Sequence, residues 1–401
     1  LTAAAASDII NIDYARIYPR NSHNHLLSHL CTSDKGMGWQ TAITAGDDWR
    51  QVARALLAQL SNPRDANIAF LYVTDELAQQ VGKLFTLLHR ATGIRHWTGG
   101  CNIAAFSGHE SLCGEAGAVL MLGHVPEGST TYPDIKNVKE SLATFGFIHA
   151  DPRVMELPRI LAQLSELPIF WMGGLMINQG GHYIFHNVKM TRDAISLCCF
   201  DERVNIMTAL FHGCRAFGAV HTVTSADGAM LHGLDHRPAI EIFAEDLTRM
   251  TVVEGQILNK GDEIHVALVK GGCDCGTYTV RGLNSIDPKD EFLNVAGMLE
   301  IGQKIRFVRR DRQFAHDEMK QKLAALKNRL QASGRRAVAA HYVSCMGRVP
   351  ALFNEETGLE TDYLRAAFGD IPIIGYYSVG EIMRGELHNF AGALTLFTEA
   401  A

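Results

Sequence analysis

Histidine and cysteine give this sequence most of its capacity to hold a ligand: the chain carries 18 histidines and nine cysteines. The segment His182-Tyr-Ile-Phe-His186 sets two imidazoles on one face whether it is extended, at period two, or helical, at i and i+4. His212-Gly-Cys214 and His221 follow an apolar run that reads as a strand, which places them near a strand end. Neutral imidazole ligates iron, zinc or copper, and one axial histidine suffices for haem, whose remaining affinity comes from burying an apolar macrocycle. His182, His186, His212 and His221 are therefore the candidate metal or haem donors. For each of them, taken singly, a hydrogen-bonded core or surface role is the commoner alternative. No Cys-x-x-Cys-His run is present, which excludes covalent c-type attachment.

A second constellation follows the apolar run at 338–344, where Cys345-Met-Gly-Arg348 brings a thiol and a guanidinium out together at a strand end. Arg348 there can clamp a carboxylate bidentately and polarise Cys345. An equal alternative is a structural ion pair, with Glu381 as its partner. His341 shares a strand face with Cys345 but lies along the same row, a poor placement for the base of a cysteine nucleophile. Cys273-Asp-Cys275 offers two soft ligands with no second pair at finger spacing, and Cys198-Cys199 sits in a strand pattern that favours packing. The phosphate-loop, Rossmann, zinc-protease and nucleophile-elbow motifs are all missing.

The elements that must position these groups repeat along the chain. A helix at 77–90 precedes Ile94-Arg-His-Trp-Thr-Gly-Gly-Cys101 and then Ala116-Gly-Ala-Val-Leu-Met-Leu122; a helix at 361–368 precedes Ile371-Pro-Ile-Ile-Gly375 and then Ala391-Gly-Ala-Leu-Thr-Leu-Phe397. The same 17-residue interval separates Gly100 from Gly117 and Gly375 from Gly392. A weaker middle copy runs through 154–164, Leu167-Pro-Ile-Phe-Trp-Met-Gly-Gly174 and Asp193-Ala-Ile-Ser-Leu-Cys-Cys199, with a longer excursion between its strands. Each unit reads as helix, strand, glycine-rich loop, strand. Glycine permits close backbone approach, to a ligand or simply to a packed neighbour. Three such loops in one chain favour a shared cleft. The expected fold is α/β, two domains of mixed sheets flanked by helices, with an extension at 1–40 and domains at 41–240 and 241–401. A helix is expected from 239 to about 248, short strands over 264–308 and an amphipathic helix over 313–330.

Composition sets the outer limits. The 401 residues suit two or three domains. With 37 basic and 43 acidic side chains the formal charge is −6, so the basic face of a nucleic-acid or anionic-membrane binder is not expected. No apolar run approaches the roughly 18 residues of a membrane span. Nine irregularly spaced cysteines suit reduced thiols and make the cytoplasm the default location.

Several separated motifs agree on a resemblance. Trp97-Thr-Gly-Gly-Cys101-Asn-Ile-Ala ahead of Glu115-Ala-Gly-Ala-Val-Leu-Met-Leu122 resembles the N-terminal FIST domain, as do His212-Gly-Cys214-Arg-Ala-Phe-Gly218, Val223-Thr224 and Leu234-Asp-His-Arg-Pro-Ala239. Ser344-Cys-Met-Gly-Arg348, then Ile371-Pro-Ile-Ile-Gly375-Tyr-Tyr-Ser-Val-Gly-Glu-Ile382 and Leu387-His-Asn389, look like the C-terminal FIST domain in order and spacing. Where the family usually has a small hydroxyl residue after the first cysteine this chain has Asn102, and where it often has Gln before Gly213 it has His212. The resemblance implies a sensory, signal-transducing protein rather than an enzyme, binding a small molecule through Gly100, Cys101, Asn102, Cys345, Arg348, Tyr376 and Glu381. A bacterial subset binds haem, senses nitric oxide and acts on histidine kinases. Haem with nitric oxide is accordingly the first expected ligand. A small carboxylated metabolite such as an amino acid, held by Arg348, Asn102 and backbone amides, is the second. A cysteine-dependent enzyme using Cys101 or Cys345, and a ligand-free scaffold, complete the alternatives. Having no output motif of its own, such a sensor acts on a separate partner.

Overall fold

The computed structural model describes residues 38–178, 183–191, 195–253, 255, 263–269, 278–287, 289–353 and 358–401. His182, Cys273 and Cys275 and nearly all of the 1–40 extension lie outside the described residues.

Three six-stranded sheets share one plan, each built on a central parallel pair with an antiparallel strand beside it. In the first sheet Ile68–Thr74 runs parallel to His96–Asn102 and antiparallel to Gly117–Gly123. In the second, Phe145–Ala150 takes the same place between Phe170–Leu175 and Ile195–Phe200. In the third it is Arg335–Cys345, between Ile373–Ser378 and Gly392–Ala400. Strands covered on both faces read as continuous apolar runs, and Ile68–Thr74 is buried along its whole length.

The three sheets are completed by exchange. The hairpin Ala104–Ser107 and Glu110–Cys113, which follows the first sheet's strands, pairs into the third sheet. The hairpin Ile184–His186 and Lys189–Thr191 passes from the second unit to the first sheet. Glu381–Met383 and Glu386–His388 pass from the third unit to the second sheet. The repeated helix–strand–loop–strand units of the sequence are thus three arms of a closed ring.

The register corrects one detail of the sequence reading. Phe185, Ile382 and Phe106 of the three exchanged hairpins lie opposite Gly99, Gly173 and Gly375, so the counterpart of Gly375 is Gly99, not Gly100. A shift of one residue turns a side chain to the other face of a strand, which the equal 17-residue spacing cannot reveal. At all three positions a Cβ would meet the carbonyl oxygen of the parallel partner: Leu71 at 2.2 Å, Ile148 at 1.9 Å and Tyr342 at 2.0 Å. These glycines let strands and hairpins close on one another.

The inner faces of the three sheets meet in an aromatic core that includes Trp39, Phe70, Tyr72, Phe147, Phe200, Tyr376 and Phe397. Helices Trp49–Ala58 and Val81–Thr92 cover the first sheet, Leu157–Ser165 the second, and Arg312–Ala332 with Leu359–Phe368 the third. Capping is local: the Asp48 carboxylate accepts from the amides of Arg50 and Gln51, and Gly93 closes its helix in the left-handed region at φ +71°.

The short strands expected over 264–308 belong to a fourth, antiparallel sheet that closes on itself. Its order runs Cys214–Asp227, Lys304–Arg310, Ile264–Val269, Tyr278–Asp287, Phe292–Val295 and Met230–Leu234, which pairs back onto Cys214–Asp227. Phe217, Leu231, Ile305 and Phe307 fill this barrel, with helix Ala239–Thr248 applying Ile242 and Phe243 to the same core. Cys214 pairs with Arg310, and the Asp311 amide donates to the Gly213 carbonyl at 3.2 Å, so the chain enters and leaves the barrel at one place. The barrel is an insertion at 214–310. The expected domain boundary near 240 falls within this stretch, where the turn residues around 226–238 make a barrel hairpin and a helix start.

Candidate functional site

The carboxyl ends of the third sheet's parallel strands face the barrel, the position at which open α/β sheets characteristically take ligands. Strand Arg335–Cys345 ends in a turn that delivers Arg348, a side chain with no exposed surface. Its Nε donates to Glu360 Oε1 at 2.9 Å, and its Nη1 to the carbonyls of Phe211 at 3.0 Å and Phe390 at 3.1 Å. Its Nη2 has no hydrogen-bond partner among the described residues. The Glu360 carboxylate also accepts from Tyr342 Oη at 2.6 Å and Ser344 Oγ at 2.5 Å. Arg348 thus has an ion-pair partner, and it is Glu360 on helix Leu359–Phe368 rather than Glu381.

Glu381 keeps an unused oxygen. Its Oε2 accepts from the Ala391 amide at 2.9 Å, while Oε1 is buried with no partner among the described residues. Burial pushes this carboxyl well above the usual carboxylate range, which favours its neutral form. His212 completes the group at the crossing into the barrel. Both its ring nitrogens are buried and without partner among the described residues, and burial pushes the imidazole well below its ordinary value. The ring stacks on Tyr278 at 4.7 Å and lies 5.6 Å from His388. The His212 and Gly213 amides both donate to Glu318 Oε2, at 2.9 and 2.8 Å, and Lys322 holds the other oxygen at 2.7 Å. Cys345 sits beside them with its thiol pushed up to about 12 by burial, so it is not a thiolate at neutral pH.

Cys345, Arg348, Glu381 and His212 therefore come together. Tyr376 adjoins them from the aromatic core: its hydroxyl is buried without a described partner, and its ring lies 4.8 Å from Tyr72. Tyr72 Oη hydrogen-bonds Nε2 of both His149, at 2.9 Å, and His341, at 2.5 Å, a polar knot among aromatic rings. Glu360, Glu318 and His149 were not singled out from sequence.

The other expected ligands do different work. Asn102 donates to the carbonyls of Ala104 at 2.8 Å and Tyr377 at 2.7 Å and accepts from the Ile177 amide at 2.9 Å, so its amide joins strands and has little left for a ligand. A Cβ on Gly100 would meet the Tyr183 carbonyl at 2.6 Å, which leaves this glycine covered by backbone. Cys101 is buried in the core under the first sheet's helices, its thiol held above its ordinary value. His186 engages Ser196 Oγ through Nδ1 at 3.1 Å. Among the described residues no group of three or more His, Cys, Asp or Glu side chains is arranged to hold a metal ion.

His221 has both nitrogens occupied, Nδ1 by Asp235 at 2.7 Å and Nε2 by Asp246 at 2.9 Å, and so clamps a barrel strand to helix Ala239–Thr248 instead of offering a ligand. The Asp246 hydrogen bond leads the causes that raise its pKa. A raised histidine pKa stabilises the fold fully below the unfolded value near 6.5 and loses that stabilisation as pH rises through the folded value. His221→Gln is expected to lower the urea midpoint most at about pH 6 and progressively less towards pH 9; an equal loss at both pH values would rule out the charged clamp.

No described helix is long and apolar enough to cross a membrane. The FIST N domain model matches residues 67–237 and the FIST C domain model residues 239–384, with their junction inside the barrel. An uncharacterized protein of Mycobacterium tuberculosis (strain CDC 1551 / Oshkosh) is 26% identical over 202 residues, 48% of this chain and 51% of that protein. An uncharacterized protein of Mycobacterium bovis is 25% identical over 193 residues, 47% of this chain and 49% of that protein. The chain spans about half the length of these curated relatives. Tandem FIST N and FIST C matches over the described ring and barrel show that the chain belongs to the FIST family, whose domains are associated with sensory signal transduction and the binding of small ligands.

Proposed function

We propose that this FIST protein senses a small zwitterion, with a free amino acid the simplest candidate, bound among Arg348, Glu381 and His212. The observation that carries the reading is the set of buried polar atoms with no partner among the described residues: Arg348 Nη2, Glu381 Oε1 and both His212 ring nitrogens. Leaving such atoms unpaired costs about 1–3 kcal/mol each, and a ligand that pairs them recovers that cost. The guanidinium and a ring N–H suit a carboxylate; Glu381, ionised again by an adjacent cation, suits an ammonium group. The buried, protonated Cys345 supports sensing over thiolate chemistry. Output then passes to a separate protein, a histidine kinase being the partner the family resemblance suggests.

The test is thermal unfolding in the presence of each of the twenty amino acids. A binder at 100 times its Kd adds about 2.7 kcal/mol and raises the midpoint by several degrees. Glu381→Gln should remove the response to amino acids. No midpoint shift with any of them overturns the reading.

Haem, the first ligand expected from the sequence, becomes the second reading, favoured by His212 as the one described histidine of the expected set with both ring nitrogens unpartnered. When bound, haem would supply an iron position for nitric oxide. Haemin titration of the apo-protein would then give a saturable Soret band that His212→Ala removes, and a featureless titration excludes it.

A further inference from the structure

Phe390 stands where the Arg348–Glu381 cluster meets the barrel, in an unusual backbone conformation. It is a non-glycine residue in the left-handed region, at φ +60°, where a bulky side chain is rarely held unless the surroundings impose it. On one side its backbone belongs to that cluster: its carbonyl accepts from Arg348 Nη1 at 3.1 Å, and the next amide, of Ala391, donates to Glu381 Oε2 at 2.9 Å. On the other side its ring belongs to the barrel. It stacks on His265 at 4.5 Å, lies under the Arg310 guanidinium at 4.7 Å, and packs on the wall patch of Cys214, Ala267, Val280 and Val308.

The rest of the described seam combines ring contacts, His212 on Tyr278 at 4.7 Å and the Arg215 guanidinium over Phe314 at 5.4 Å, with hydrogen bonds. Arg281 Nη1 donates to the Leu387 carbonyl at 2.8 Å, Thr279 Oγ1 to Glu386 Oε2 at 3.3 Å, and Arg310 to the Gly347 carbonyl. The barrel wall patch has four fully buried apolar residues, against two dozen in the central aromatic core. The chain passes between the bodies at a single place, 211–214 beside 310–312, where Gly213 adopts φ +67°. Two bodies joined through such a crossing can move relative to one another.

We propose that Phe390 is the positioning residue that couples the Arg348–Glu381 pocket to the seating of the barrel, and that the barrel is the part whose position reports occupancy. A group that pairs with Arg348 Nη2 and Glu381 Oε1 shifts the guanidinium and the carboxyl whose other atoms hold the Phe390 carbonyl and the Ala391 amide. The segment that holds the ring in place is then pulled or released, and a move of Phe390 out of the left-handed region relieves its backbone strain. This inference rests on the proposed pocket, and the experiment separates the two.

Hydrogen exchange of the full chain, read by mass spectrometry, follows strand Tyr278–Asp287 on the seam and strand Ile68–Thr74 in the ring as internal reference. Phe390→Ala is expected to speed exchange in the seam strand at least about tenfold and leave the reference unchanged. Phe390→Leu, which keeps apolar bulk, gives a smaller change of the same kind and serves if the alanine variant fails to fold. Glu381→Gln, made without any ligand, should alter seam exchange in the parent chain and have no further effect in Phe390→Ala. Unchanged seam exchange in both Phe390 variants overturns the proposal, as does an effect of Glu381→Gln that persists without the ring. An amino acid that raises the unfolding midpoint without altering seam exchange overturns the coupling while leaving the pocket intact. Failure of every amino acid to bind, with the ligand-free coupling present, overturns the ligand reading alone.

Discussion

Glu360→Gln is expected to destabilise the folded chain by about 3–5 kcal/mol, because it leaves the fully buried Arg348 guanidinium without its countercharge. The substitution keeps the shape of the side chain, so no cavity contributes. Three donors converge on this carboxylate, Arg348 Nε, Tyr342 Oη and Ser344 Oγ, and a neutral amide oxygen with an adjacent NH2 cannot satisfy them all. The check is the urea midpoint of the two variants and their combination. Arg348→Met with Glu360→Gln should cost less than the sum of the single changes, since the double variant buries no unpaired charge. Additive costs would show that the pair does not act as a unit.

Gly173→Ala is expected to cost more than about 4 kcal/mol, the range reserved for changes the backbone cannot absorb. Its φ of +150° is already poor for an L side chain, and its Cβ would lie 1.9 Å from the Ile148 carbonyl in the parallel neighbour. The strand cannot retreat, because Ile382 of the exchanged hairpin pairs with Gly173 from the other side. Gly302→Ala is the control: at φ +87° with open space around it, alanine meets only the backbone penalty of about 1 kcal/mol. Comparable thermal midpoints for the two variants would show that the second sheet can open between its parallel strands.

Much of the ring was legible because its units carry their own punctuation: an apolar helix, a short buried strand and glycines at strand contacts. What sequence spacing cannot give is the partner of an edge. Nothing local to Ala104–Cys113 says that it pairs with a strand near residue 375, and the one-residue offset between Gly99 and Gly100 is visible only in the register. The barrel was hidden for a related reason, since Cys214–Asp227 is bent and shared between two halves of a closed sheet. In the site, Cys345 and Arg348 stood out as polar side chains at the end of an apolar strand, and Glu381 as a candidate partner of Arg348. Glu360 reads like any acidic residue in the first turn of a helix, and Glu318 with Lys322 reads like a solvated i, i+4 pair. His149 had a usable signal, a single polar residue ending Phe145-Gly-Phe-Ile-His149, a run that is otherwise apolar.

The exchange of hairpins also sets an order of events during synthesis. Asn102, beside the first hairpin, bonds a carbonyl 275 residues later in the chain. At about 5–20 residues per second, the ribosome takes on the order of 14–55 s to deliver that partner. For roughly the first third of that interval the first unit lacks the hairpin at 184–191 that caps its own sheet, and for all of it the unit lacks the strand that receives its hairpin. Open strand edges of this kind invite pairing with other nascent chains. The ring therefore closes late, when the third unit supplies the last receiving strand, and until then the chain carries an unpaired edge.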